Sequence, residues 1–112
     1  MERKKLIKGD DYTFICNVLD GGIPRDLTGI KDICYQVFEN VKEDVLLHEA
    51  KLDSGIIVPD MTNGKIYIHL PRQVSENSEK FQLYHKCRIQ DQSGRRTTIL
   101  SDYIEFYKNN LV

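Results

Sequence analysis

Apolar and polar residues alternate with period two in segment after segment of this chain. Tyr12-Thr13-Phe14-Ile15-Cys16-Asn17-Val18, Ile33-Cys34-Tyr35-Gln36-Val37 and Lys65-Ile66-Tyr67-Ile68-His69-Leu70 all follow the pattern. In an extended backbone, alternation gives one row of side chains to a core and the other to water. The pattern therefore points to an all-β fold, a sandwich or a barrel. No long stretch carries a helical period, so a parallel α/β architecture is not expected.

Turn residues cut the chain into about seven strands. The first, Asp11–Leu19, carries Tyr12, Phe14, Cys16 and Val18 on one face. Ile15 and Leu19 fall on the other, so this strand is expected to be partly covered on both sides. Asp20-Gly21-Gly22-Ile23-Pro24 is a turn by composition. Asp26-Leu27-Thr28-Gly29 reads as a corner, in which Asp26 or Thr28 bonds the local backbone and Leu27 plugs the end of the core. Strands are then expected at Ile30–Glu39, Val45–Lys51, Ile56–Val58, Lys65–Leu70 and Phe81–Asp91. Arg95–Tyr107 reads as one strand, or as two broken near Ser101-Asp102. Asn63-Gly64 is a strong hairpin signal. Pro71–Lys80 reads as a loop with one helical turn. Expected core faces are Ile33, Tyr35 and Val37; Ile66, Ile68 and Leu70; Phe81, Leu83, His85, Cys87 and Ile89; and Ile104 with Phe106. Turn signals every 8–12 residues or so suit a two-sheet antiparallel sandwich.

At 112 residues a single domain is expected over 1–112, with short charged tails at 1–8 and 108–112. The formal net charge is -1 and basic residues are not concentrated, so nucleic acid is not an expected partner. No apolar run reaches membrane-spanning length, so no membrane association is expected. The N-terminus has a basic start without an apolar segment behind it, which predicts synthesis in the cytoplasm. The three cysteines, Cys16, Cys34 and Cys87, each lie inside an expected strand. They read as small buried hydrophobes, with an inter-sheet disulfide as the alternative.

Nothing in the pattern announces catalysis. His85 and Cys87, two apart on one strand, with His69 on another, form the one set with zinc-ligand character. His69 falls opposite the Ile66, Ile68 and Leu70 face, and the three read as sheet residues. Asp10, Asp11, Asp20, Asp26, Asp60 and Asp91 read as strand-start and turn residues, without the spacing of a calcium loop. No nucleophile elbow or phosphate-binding glycine loop is present. No enzyme activity, metal or cofactor is expected.

Three blocks in order carry a resemblance. They are Lys8–Phe14 leading to Asp20–Gly29; Asp53-Ser54-Gly55-Ile56 followed by Asn63–Ile68; and Tyr84–Asp91, then Ser93-Gly94 and Thr97–Ser101. This order resembles the immunoglobulin-like β-sandwich domain of tailed-bacteriophage structural proteins, such as the N-terminal domain of the phage baseplate upper protein. Near the last strand, where that family often has small residues, this chain has Ser101-Asp102. The resemblance implies an immunoglobulin-like antiparallel sandwich in a non-enzymatic virion protein of the tail, baseplate, neck or head decoration. It implies virion localisation after synthesis in a bacterial host. The implied partners are other phage virion proteins and further copies of the chain.

Candidate interface residues are apolar or aromatic side chains off the core faces. Leu6, Ile7, Leu111 and Val112 lie on polar tails and suit strand addition to a partner. Tyr67 and Tyr84 fall opposite their strands' core sets and suit packing on a neighbour. Stacking on a sugar is the alternative use of these tyrosines, giving a carbohydrate- or cell-surface-binding module. The absence of Trp counts against it.

Overall fold

A computed structural model describes residues 4–76 and 81–107. Expectations for 1–3, 77–80 and 108–112, including Leu111 and Val112, lie outside the described residues. The fold is all-β. Its strands are β1 (Lys4–Ile7), β2 (Tyr12–Asn17), β3 (Leu19–Asp20), β4 (Ile23–Pro24), β5 (Asp32–Phe38), β6 (Leu46–Leu52), β7 (Gly55–Ile57), β8 (Lys65–Leu70), β9 (Gln82–Gln90) and β10 (Arg96–Tyr107). One short helix, α1 (Arg72–Glu76), follows Pro71 where a helical turn was expected.

Eight strands form one sheet in the order β1-β10-β9-β5-β6-β7-β8-β2, and β3 with β4 makes a separate hairpin. The sheet doubles over on itself. Phe14 on β2 meets Tyr35 on β5 at 6.4 Å and His85 on β9 at 5.4 Å between ring centroids, although β2 stands at the far end of the strand order. The strand order divides for description at the β6–β7 link, with β1, β10, β9, β5 and β6 as one half and β7, β8 and β2 as the other.

The expectation of a purely antiparallel arrangement of about seven strands needs correction. The sheet is mixed, because β1 runs parallel to β10 and β6 parallel to β7. The second pairing is only Lys51 with Gly55 and Leu52 with Ile56, and it marks where the chain passes between halves. Asp53 and Gly55 both take positive φ there, 67° and 95°. The kink lets the chain change halves without reversing direction. A Cβ on Gly55 would lie 2.9 Å from the Ala50 Cβ, so both conformation and space require glycine.

Inward rows follow the alternation. Ile33, Tyr35, Val37, Ile66, Ile68, Leu83, Cys87 and Ile104 are fully buried and form one core with Phe14, Leu70, Ile89 and Phe106. The Asp26 corner forms as expected. Asp26 Oδ1 accepts from Thr28 N at 2.8 Å, and Leu27 is fully buried, its N donating to the Met61 carbonyl at 2.6 Å. Asn63-Gly64 does not make a two-residue hairpin. Met61–Asn63 is a 3-10 turn capped by Asp60, with Gly64 in the left-handed conformation. A Cβ on Gly64 would stand 2.6 Å from the Val18 carbonyl and 2.7 Å from that of Arg25.

Strand β10 is unbroken at Ser101-Asp102. Its irregularity is a bulge between Thr98 and Leu100. Phe81 does not join the inward row of β9 and is half exposed.

Candidate functional site

Half of each strand's side chains face outward, and the two halves of the sheet differ there. On β2, β8 and β7 the register sets Ile15 opposite Tyr67 and Tyr67 opposite Ile57. Ile15 is 54% and Ile57 63% exposed, and Tyr67 is half buried between them. Opposite residues on adjacent strands are near neighbours, so the three make one apolar row across the half-sheet. The strand expected over Asp11–Leu19 ends at Asn17, and Ile15 and Leu19, expected to be partly covered, are 54% and 57% exposed.

The row ends at an open edge. Among the described residues, strand β2 pairs only with β8 and is one end of the sheet. Its sequence, Tyr12-Thr13-Phe14-Ile15-Cys16-Asn17, contains no charged residue. Sheet edges are commonly guarded by lysine, proline or bulges, and β2 has none. The opposite end, β1, carries Lys4-Lys5 in its sequence.

The other expected interface residues fall elsewhere. Leu6 is in the core at 8% exposure, because β1 pairs along β10 and points it inward. Ile7 is 41% exposed, and its N donates to the Tyr12 hydroxyl at 2.7 Å. Tyr84 lies on the outer face, as its strand position implied, yet is buried at 9%. Its cross-strand neighbours are Phe38 and Tyr103, and the Tyr103 ring stands against it at 5.6 Å in an edge-on arrangement. Its hydroxyl hydrogen-bonds Ser101. Tyr67 therefore belongs to the exposed row and Tyr84 does not. The row's other members, Ile15 and Ile57, were legible only as apolar residues out of phase with their strands.

The residues with metal or catalytic character are not gathered. His85 and Cys87 face the core, whereas His69 is exposed. Among the described residues, no three His, Cys, Asp or Glu side chains are placed to hold a metal ion. The Tyr35 hydroxyl and His85 Nδ1 are 2.9 Å apart in the core. Burial pushes the Tyr35 hydroxyl well above the usual phenol range, so it stays protonated. All three cysteines are free thiols. Burial, then the neighbouring Cys16 and Cys34, pushes Cys87 up to about 12. Burial raises Cys16 as well, and burial followed by the Glu49 carboxylate raises Cys34. Thiols held up in this way are poor nucleophiles at neutral pH.

No helix among the described residues is long and apolar enough to cross a membrane. No protein-family model matches the chain, and no curated protein matches it in sequence.

Proposed function

We propose that this chain is a non-enzymatic structural domain of a tailed-bacteriophage virion, an immunoglobulin-like sandwich working through self-association and docking to other virion proteins. The apolar row Ile15–Tyr67–Ile57, running to the uncharged edge of β2, carries the self-association part of the reading. Contiguous exposed apolar surface is the mark of an interaction site. The order of three turn-bearing blocks carries the phage part. The curl of the sheet supports the sandwich, since Phe14 on β2 packs on Tyr35 of β5 and His85 of β9, well apart in the strand order.

The occupant of the edge is a second copy. Antiparallel pairing of β2 with β2 about a two-fold axis at Ile15 sets Ile15 against Ile15 and Thr13 against Asn17. It extends the apolar row across both copies and satisfies the backbone groups of both edges. Such an isologous contact closes on itself. The test of the virion role is quantitative mass spectrometry of purified particles from the source culture. Detection at a fixed ratio to the major capsid protein is expected, and absence from clean particles refutes the virion role.

A second reading is a carbohydrate-binding module. Tyr67 lines a surface hollow with Thr13, Asp53 and His69, an aromatic face beside polar groups. Glycan-array binding that is lost in Tyr67→Ala would favour it over the structural reading.

A further inference from the structure

Around Cys34 the outer face of the larger half is charged, whereas around Tyr67 that of the smaller half is apolar. A groove of about 260 Å³ runs over β6, β5, β9 and β10, with Cys34 among its lining residues. The register explains the hollow. Cys34 stands opposite Lys51 on one side and Arg88 on the other, so one short side chain lies between two long cationic ones. With strands spaced about 4.8 Å, their Cα atoms are about 10 Å apart, within reach of one small anion.

A third cation is there because of the β10 bulge. Regular pairing beyond Leu100 and Cys87 would put Thr98 and Arg96 on the inward phase. The shift between Thr98 and Leu100 instead sets Thr98 opposite Arg88 and Arg96 opposite Gln90. Bulges re-aim side chains in this way. Among the described residues, neither Arg88 nor Arg96 makes an ion pair or a side-chain hydrogen bond.

The charge count sets the ligand class. The groove's charged lining is Lys51, Arg88 and Arg96 against Asp32 and Glu49, three positive and two negative, an excess of one. Glu49 accepts from Gln36 at 3.0 Å, and its 4.0 Å contact with Lys51 is a long, exposed ion pair that holds Lys51 weakly, so Lys51 can turn to a ligand. One negative charge neutralises the excess. A dianion overshoots it and meets Asp32 and Glu49. Guanidinium groups match carboxylate geometry in two-point contacts.

We propose that this groove binds a single carboxylate, the glutamate or aspartate side chain of a partner polypeptide, between Arg88 and Lys51 over Cys34. The site goes beyond self-association through β2 and lies on the opposite half of the sheet. It gives the protein a polar attachment point for a second, unlike chain.

The test is an amide-resonance titration of the full chain with acetyl-Ala-Glu-Ala-amide, its Gln counterpart and inorganic phosphate. The Glu peptide is expected to shift β5, β6, β9 and β10 resonances around Cys34 and to bind at least about tenfold more tightly than the Gln peptide, a charge-assisted contact's worth. Arg88→Gln and, separately, Lys51→Gln are each expected to weaken it about tenfold or more, with β2 resonances unmoved. Equal binding of the Glu and Gln peptides overturns the proposal. So does phosphate binding as tightly as the Glu peptide, or shifts that survive both substitutions.

Discussion

The two outer faces obey the same alternation, and a patch on each holds opposite chemistry. Over β7, β8 and β2, outward positions carry Ile57, Tyr67 and Ile15, and the edge strand has no charge. Over β6, β5, β9 and β10, they carry Lys51, Glu49, Asp32, Arg88 and Arg96 around a small thiol. Both faces share one core, so the difference is not a demand of folding. An apolar face on an open edge gains by excluding water against a like surface. A charged hollow gains by meeting one complementary charge. On the proposed reading, the apolar face serves the protein's own kind and the charged hollow an unlike partner.

The most drastic way to break the comparison is to remove the shared core. Leu27→Ala leaves a void where the corner residue was fully buried, and a loss of about 2–5 kcal/mol is expected in urea unfolding. Both faces should then fail together. Tyr35→Phe removes the hydroxyl from His85 Nδ1 inside the core, and about 1–3 kcal/mol of stability is expected to go. Outer-face changes should separate the halves instead. Ile15→Lys and Arg88→Gln are each expected to change stability by no more than about 0.5 kcal/mol. The first should abolish self-association and spare carboxylate binding, and the second should do the reverse. Acid gives the smallest effect. The Asp26, Asp60 and Asp91 carboxyls are held below their ordinary 3.8 first by side-chain hydrogen bonds from Thr28, Thr62 and Ser93. The unfolded chain binds those protons more tightly, so their contribution is present above pH 3.8 and lost as pH falls through the lower folded values. Burial, then His69, holds His48 below its ordinary 6.5, which adds a loss on acidification below pH 6.5. Thermal midpoints from pH 7 to 2.5 should fall in those two windows, and Asp26→Asn should flatten the lower one.

Much of the fold was legible because burial enforces period two. Lys65–Leu70 spans the strand expected there, and the Ile33, Tyr35 and Val37 row is fully buried. The Asp26 corner was readable because its bonds are local. Long-range register was not. The parallel pairing of β1 on β10, which buries Leu6, joins the two ends of the chain, and nothing local encodes it. The β10 bulge depends on what β9 presents opposite it, so Arg96 could not be assigned to a face from its own strand. Tyr84 was placed on the correct face, but its neighbours there, Phe38 and Tyr103, come from other strands. The apolar row had a signal in Ile15 and Ile57, both out of phase. Reading Ile15 as covered missed it, because covering depends on what lies beyond the strand.

Sedimentation equilibrium over a hundredfold range of concentration, wild type beside Ile15→Lys, tests the central claim most directly. Reversible dimer formation by the wild type, with the variant monomeric and its unfolding midpoint unchanged, is the expected result. A wild type that stays monomeric throughout, or a variant that associates equally well, contradicts the assignment of the β2 edge and its apolar row as the self-association surface.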